Sequence, residues 1–120
     1  MVRYILFTFL IHIVGCVETR DPRLMDVSQE GDDNITCEQI TIEYGSNTDV
    51  ATAKITKNDE DDVQDCFLCA IVWPGLADFK NADGNEGNAL LDRNIRLKKI
   101  AESKGCDVSS YPEQPERYDW

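Results

Sequence analysis

The fold is decided by one apolar stretch in the middle of the chain. It begins at Asp61 and reads Asp-Asp-Val-Gln-Asp-Cys-Phe-Leu-Cys-Ala-Ile-Val-Trp, with Pro74 and Gly75 directly after it. The eight residues at 66–73 are all apolar, which is too long for a half-exposed strand and too short for a bilayer span. Pro74 also lacks the N–H group that would continue a helix. We therefore expect one buried core helix over residues 61–73.

The segment before this helix is ambiguous between helix and strand. From Cys37 to Tyr44, the residues Ile40, Ile42 and Tyr44 alternate as they would in a strand. Cys37, Ile40 and Tyr44 also share one face of a helix, so the same residues fit both structures. Gly45 ends the segment on either interpretation.

Further helix limits follow from capping residues and from a polar loop. A short helix is expected over residues 49–55, with Asn47 or Thr48 as its cap. Asn58 or Asp59 can cap the core helix. Residues 81–88 read Asn-Ala-Asp-Gly-Asn-Glu-Gly-Asn, which is typical of a loop. A calcium loop of the EF-hand kind is excluded, because apolar residues would occupy its two end positions. Asn88 would then cap a helix over residues 89–103 that ends at Gly105.

The first 16 residues have the pattern of a secretory signal peptide. A short basic start with Arg3 precedes a mostly apolar run from residue 4 to residue 14. Cleavage after Cys16 would leave residues 17–120, and cleavage after Gly15 is the alternative. Residues 13–16 also resemble a bacterial lipoprotein cleavage site. The secretory interpretation predicts a secreted, extracellular protein with no membrane contact after cleavage.

The charge of the chain excludes several classes of function. The full sequence has 12 basic and 23 acidic residues; without Arg3 there are 11 basic residues against 23 acidic ones, a net charge of about −12, which repels nucleic acid and anionic membranes. The single histidine, His12, would leave with the signal peptide. Histidine-dependent catalysis and zinc–histidine sites are therefore excluded from the mature chain. We expect no catalytic residue, no cofactor and no metal.

Residues 17–106 are predicted to form one helical domain, with residues 17–33 as a poorly packed arm or a short helix. Asn34 begins an Asn-Ile-Thr sequon for N-glycosylation, which in an exported protein implies an exposed position if it is used. The tail, residues 107–120, contains prolines, aromatic residues and charges. We expect this tail to be extended or disordered.

The mature chain retains four cysteines, Cys37, Cys66, Cys69 and Cys106. An even number in a small exported domain predicts disulfides. Cys66 and Cys69 also have the spacing of a thiol oxidoreductase, but no βαβ pattern surrounds them, and their apolar setting would raise a thiol pKa rather than lower it. A zinc site made of four cysteines does not fit an oxidising compartment.

Several short motifs together resemble the insect odorant-binding proteins of the pheromone and general odorant-binding family. They are Cys37 with Glu43-Tyr44-Gly45, Asp61-Asp62, Asp65-Cys66-Phe67-Leu68-Cys69, Gly75-Leu76-Ala77-Asp78 and Ala82-Asp83-Gly84-Asn85. The resemblance covers residues 37–106. The chain departs from the family in having two residues instead of three between its second and third cysteines. It also has no cysteine after Cys106 to match the family's fifth and sixth, and on this comparison it lacks the family's last helix.

The resemblance implies an all-α, disulfide-linked domain of about four helices, and it favours a helix at residues 37–44. The family's link between its first and third cysteines implies a bond from Cys37 to Cys69, which leaves Cys66 to pair with Cys106. It also implies a secreted carrier of a small hydrophobic ligand, such as an odorant or pheromone, in an apolar cavity. The candidate ligand-binding residues are Phe67, Leu68, Ile71, Val72, Trp73, Leu90, Leu91, Ile95 and Leu97.

Two alternatives to the carrier remain open from the sequence. The same apolar side chains are also those that would simply fill a core. The protein would then be a secreted interaction protein of the venom or salivary type, with its acidic surface and its C-terminal tail available to a protein partner. An enzyme is not expected on either interpretation.

Overall fold

The chain forms a helical hairpin flanked by two extended segments. The computed structural model describes residues 21–71 and 81–119, and over residues 61–71 the description is limited to the course of the helix. A single turn of 3-10 helix at Asp32–Asn34 precedes helix α1 (Cys37–Ile71) and helix α2 (Ala82–Lys104), and the described ranges contain no strand. The predicted all-helical, disulfide-bonded character is confirmed, but the described residues form two α-helices and not about four.

Helix α1 is one continuous helix of 35 residues. It joins the three helices that were expected at 37–44, 49–55 and 61–73, although the last two residues of the third lie outside the described range. The prediction that a helix ends at Gly45 is therefore wrong. The predictions that new helices begin at residues 49 and 61 are wrong for the same reason. The helix begins with a capping box: the Gln39 N–H group donates to Thr36 Oγ1 (3.2 Å), and the Thr36 N–H group donates to Gln39 Oε1 (2.9 Å).

Helix α2 starts seven residues earlier than predicted. Residues 82–88 are helical, so the expected loop at 81–88 and the cap at Asn88 are wrong. The predicted end at Gly105 is confirmed: this glycine has a φ of 73°, its N–H group donates to Glu102 O (3.1 Å), and the Cys106 N–H group donates to Ala101 O (2.9 Å). These two bonds form a Schellman motif, which a glycine in the left-handed region permits.

The two helices run antiparallel and share a core of two apolar clusters. One cluster lies towards the disulfide and consists of Ile40, Tyr44, Leu97 and Ala101. The other consists of Ala51, Ile55, Leu90, Leu91 and Tyr118. The helical face expected from 37 to 44 is confirmed, because Ile40 and Tyr44 are buried whereas Ile42 is 65% exposed.

Two extended segments lie on opposite sides of α2. The arm, defined as residues 21–31, contacts Glu86 and Arg93, and the tail, defined as residues 107–119, contacts Asn88 and Asp92. At 100° per residue, positions 86 and 93 lie on nearly the opposite face of a helix from positions 84 and 88. The hairpin is therefore held between two extended segments, one that precedes α1 in the chain and one that follows α2.

Candidate functional site

The disulfide closes the hairpin at one end. Cys37, the first residue of α1, is bonded to Cys106, and their Cα atoms are 5.6 Å apart. The implied bonds from Cys37 to Cys69 and from Cys66 to Cys106 are therefore wrong. The physical reason is the continuity of α1, which places Cys69 32 residues along the same helix, roughly 48 Å from Cys37. Cys66 and Cys69 lie in α1, and their side chains are outside the described residues.

The predicted ligand-binding residues fall into three groups. Leu90 and Leu91 pack in one core cluster and Leu97 packs in the other, each with at most 7% of its surface exposed. Ile95 is 47% exposed and lies on the surface. The side chains of the remaining five candidates, residues 67, 68 and 71–73, are outside the described part of the chain. Among the described candidates, the leucines fill the contact between the two helices.

A polar network that the sequence did not predict lies in the middle of this contact. Asn94 is fully buried, and its Nδ2 atom donates to Tyr44 O (3.1 Å) and to Thr48 Oγ1 (3.1 Å). Its Oδ1 atom accepts a hydrogen bond from Asn47 Nδ2 (3.0 Å). Each polar group in an apolar contact requires a partner at a fixed position. The network therefore favours a single alignment of α1 against α2, as buried asparagines do in coiled coils.

We expect Asn94→Ala to lower the free energy of unfolding by about 2 kcal/mol, because it leaves buried polar partners without a hydrogen bond. Urea denaturation followed by circular dichroism measures this loss. The matched control is Ile95→Ala at the adjacent, exposed position, for which we expect a loss of about 0.5 kcal/mol. Equal losses in the two variants would contradict a structural role for the network.

A second buried polar group, Arg93, joins the arm, the 3-10 helix and both α-helices. Its guanidinium contacts both carboxylate oxygens of Asp32 (2.8 and 2.9 Å) and both of Glu43 (2.8 and 3.4 Å). Its Nη1 atom also donates to Val27 O (3.0 Å). All five N–H groups of the guanidinium therefore have an acceptor. Only 1% of the Arg93 side chain is exposed, so this residue acts as an internal brace.

A polar cleft of about 370 Å³ opens beside this brace. It is lined by the arm, the 3-10 helix and the start of α1, with Gln29, Gln39 and Glu43 among its side chains. The guanidinium of Arg93 faces the cleft but has no N–H group left to bind an anion. The cleft differs from the predicted cavity, which was expected to be apolar.

The hydrogen bonds that Arg93 donates hold the pKa of Asp32 below its ordinary value, in opposition to burial, which raises it. The carboxylates of Asp32 and Glu43 in turn raise the pKa of Arg93, although its burial lowers it. Arg93 therefore holds its proton more strongly than an exposed arginine does. The lowered pKa of Asp32 makes the stability of this ion pair depend on pH.

Because the pKa of Asp32 is lower in the folded chain, its ion pair stabilises the fold above the unfolded pKa of about 3.9 and stops doing so as the pH falls through the folded value. We expect the free energy of unfolding to fall below about pH 4, and to fall less steeply in Asp32→Asn than in the unmodified chain. Urea denaturation between pH 5 and pH 2 measures the two slopes. Identical slopes would show that Asp32 does not contribute to acid unfolding.

The arm is held at its other end by an ion-pair cluster. Lys54 pairs with Glu86 (2.5 Å) and Asp83 (3.2 Å), and Lys57 pairs with Asp83 (2.6 Å). The same Glu86 accepts a hydrogen bond from the backbone N–H group of Arg23 (2.6 Å). Backbone groups of Arg23 and Val27 therefore hold the arm against α2, and the side chains of residues 23–27 are exposed.

Those side chains form an exposed apolar surface, which we call the arm surface and define as Leu24, Met25 and Val27. They are 63%, 37% and 41% exposed. Apolar side chains that are close together and exposed on an ordered segment are typical of an interaction site.

On the other side of the hairpin, the tail occupies a groove of α2, which we call the tail groove and define as Gly84, Asn88 and Asp92. The Asn88 side chain makes two hydrogen bonds with one residue of the tail: Nδ2 donates to Tyr118 O (2.8 Å), and the Tyr118 N–H group donates to Oδ1 (2.9 Å). The Tyr118 ring lies over Gly84, where a Cβ atom would be 2.5 Å from it. Arg117 pairs with Asp92 (2.7 Å). The tail is thus extended and bound at three points.

Asn34, the predicted glycosylation site, is exposed in the 3-10 turn directly before the cap of α1. Its use stays a prediction. Within the described ranges, no three acidic, cysteine or histidine side chains are grouped as they would be to hold a metal ion. Neither described helix combines the length and apolar character needed to cross a bilayer.

Comparison with known proteins gives no relative for this chain: no protein-family model, curated protein or solved structure matches it significantly.

Proposed function

We propose that the protein is an exported, disulfide-closed helical hairpin that binds a protein partner through the arm surface. Export is supported by the signal-peptide pattern and by the disulfide, which is typical of an oxidising compartment. The observation that carries the proposal is the arrangement of the arm. Its backbone is anchored by Glu86 and Arg93, while Leu24, Met25 and Val27 are presented to solvent.

This surface differs from the one that the sequence favoured for a protein partner. The tail was expected to offer its aromatic residues, but Tyr118 packs in a core cluster, and the Tyr111 ring lies 4.7 Å from that of Tyr44. The acidic composition of the chain adds a condition on the partner. A basic or neutral surface would associate with it faster than an acidic one.

The test is chemical cross-linking of the purified chain to proteins in the medium of cells that express it, with the cross-linked sites identified by mass spectrometry. We expect cross-links between one partner and residues beside the arm surface. The control bait carries Leu24→Ser, Met25→Ser and Val27→Ser. It keeps the backbone contacts of Arg23 and Val27 and should therefore fold. Equal capture by both baits would contradict the proposal.

The carrier of a small hydrophobic ligand is the second candidate, and a specific observation favours it. Residues 66–73 are apolar without interruption, and α1 continues to Ile71, past the level at which α2 begins. The described leucines of the predicted pocket fill the hairpin core, so a ligand would bind at this far end of α1. Displacement of an apolar fluorescent dye tests this function, and a lack of saturable binding would count against it.

A further inference from the structure

The contacts of the tail groove are those by which a protein recognises an extended peptide. An asparagine amide that bonds both the N–H and the C=O group of one residue recognises backbone, and it does so for any side chain. Gly84 supplies the space for the aromatic ring of that same residue, and Asp92 supplies a negative charge for the residue before it. The groove therefore has a backbone clamp and two side-chain positions, which together select an arginine followed by an aromatic residue.

The occupant of the groove in this structure is the tail, in which some polar groups lack a hydrogen bond. Two buried polar atoms of the tail, Tyr111 Oη and Gln114 Nε2, have no hydrogen-bond partner among the described residues. Each buried polar atom without a hydrogen bond makes the packed state of the tail less stable by about 1–3 kcal/mol. In the ion pair of Arg117 with Asp92, both side chains are close to half exposed. The pair therefore adds little to the stability of the tail attachment. Among the described residues, both unpaired atoms lie in the tail and none lies in the contact between the two helices. The tail should therefore open at a lower free energy than the hairpin core.

We infer that the tail groove is a binding site for an extended segment of a partner protein that carries an Arg-aromatic pair. Residues 117 and 118 of the chain occupy the groove as an intramolecular competitor. This site lies on the opposite side of α2 from the arm surface, so the inference does not depend on the proposed function. A partner segment binds when it displaces the tail, and the tail lowers its apparent affinity in proportion to its own local concentration.

The full-length variant Arg117→Ala/Tyr118→Ala tests this inference. It removes both side chains of the competitor, including the Tyr118 ring from its core cluster, and leaves Gly84, Asn88 and Asp92 unchanged. The probe is a fluorescein-labelled peptide with the sequence of residues 112–119, and its binding is followed by fluorescence anisotropy. We expect saturable binding to the variant and at least tenfold weaker binding to the unmodified chain. A peptide in which alanine replaces the arginine and the tyrosine should bind neither protein.

Two further substitutions in the variant locate the peptide. Gly84→Ala should weaken peptide binding at least tenfold, because the added Cβ atom occupies the position of the aromatic ring. Asn88→Ala should do the same by removing the backbone clamp. Alanine favours the helix at both positions, so neither change should unfold it. The matched control is Gly45→Ala, where an added Cβ atom has no neighbour within 4 Å, and it should leave binding unchanged.

Three outcomes would overturn the inference. The first is the absence of peptide binding to a variant that keeps its circular dichroism spectrum. The second is equal binding of the alanine-substituted peptide. The third is a concentration-dependent dimer of the unmodified chain that the variant does not form, which would make the tail of a second copy the occupant. If the variant unfolds, hydrogen exchange of the unmodified chain decides instead: exchange of the Tyr118 N–H group at the slow rate of the core would show that the groove never opens.

Discussion

Replacing Cys37 and Cys106 together by serine is expected to lower the free energy of unfolding by about 4 kcal/mol, which is the loss that chain entropy predicts for a bond across a sequence separation of 69 residues. Cys37 is exposed and Cys106 is only partly buried, so the serines themselves should cost little packing. The bond also holds the start of α1 against the end of α2. Urea denaturation of the unmodified chain and of the double variant at pH 7 measures the difference.

The single variants Cys37→Ser and Cys106→Ser provide the control for this prediction. Each removes the same bond, so each should lose as much stability as the double variant, and the three losses should not add. A loss below 1 kcal/mol in all three would mean that the hairpin keeps its alignment without the disulfide. The buried network of Asn94 would then be the main source of that alignment.

The sequence predicted the helical state of residues 61–71 and of residues 89–103, because both depend on local patterns that the helix satisfies by itself. It did not predict that α1 is continuous. Asn47, Thr48 and Asn58 are residue types that cap helices, and here they make contacts to α2 across the hairpin. A capping residue and a buried polar residue look the same in sequence, and only the tertiary partner distinguishes them.

The start of α2 was missed for a related reason. Glycine has a low helix propensity, so Gly84 and Gly87 indicated a loop. In the structure both glycines are helical, and each lies against a side chain at a distance that excludes a Cβ atom: Tyr118 for Gly84 and Ile55 for Gly87. The glycines allow close packing, and this function becomes visible only once the neighbouring segments are known. The signal that could have found them is their spacing of three residues on one face.

The candidate sites could not be predicted because the residues that form them are far apart in the sequence. Arg93 meets its partners Glu43 and Asp32 across 50 and 61 residues. Its position within the helix expected over residues 89–103 gave no indication of these partners. A buried arginine requires carboxylates, but 23 acidic residues were available to supply them. The pairing therefore depends on the antiparallel hairpin, which the sequence did not predict.

Replacing Arg93 by methionine is the second change for which we expect a large effect, a loss of about 3 kcal/mol in the free energy of unfolding. Methionine keeps much of the side-chain volume but leaves the carboxylates of Asp32 and Glu43 without their cation, and removing one partner of a buried pair costs about 3–5 kcal/mol. We expect the lower end of that range because the neighbouring cleft admits water to both carboxylates. Urea denaturation at pH 7 measures the loss.

Arg96→Met is the matched control, since Arg96 reaches the same Asp32 but is 45% exposed and 3.5 Å away. Its loss should stay below about 1 kcal/mol, as is usual for an exposed pair. A further comparison separates charge from packing. If unpaired carboxylates cause the loss, adding Asp32→Asn and Glu43→Gln to Arg93→Met should restore at least half of it, because the remaining groups are neutral. If stability does not recover, the arginine stabilises the hairpin mainly by filling space and by holding Val27, and the charges of this cluster contribute little to the fold.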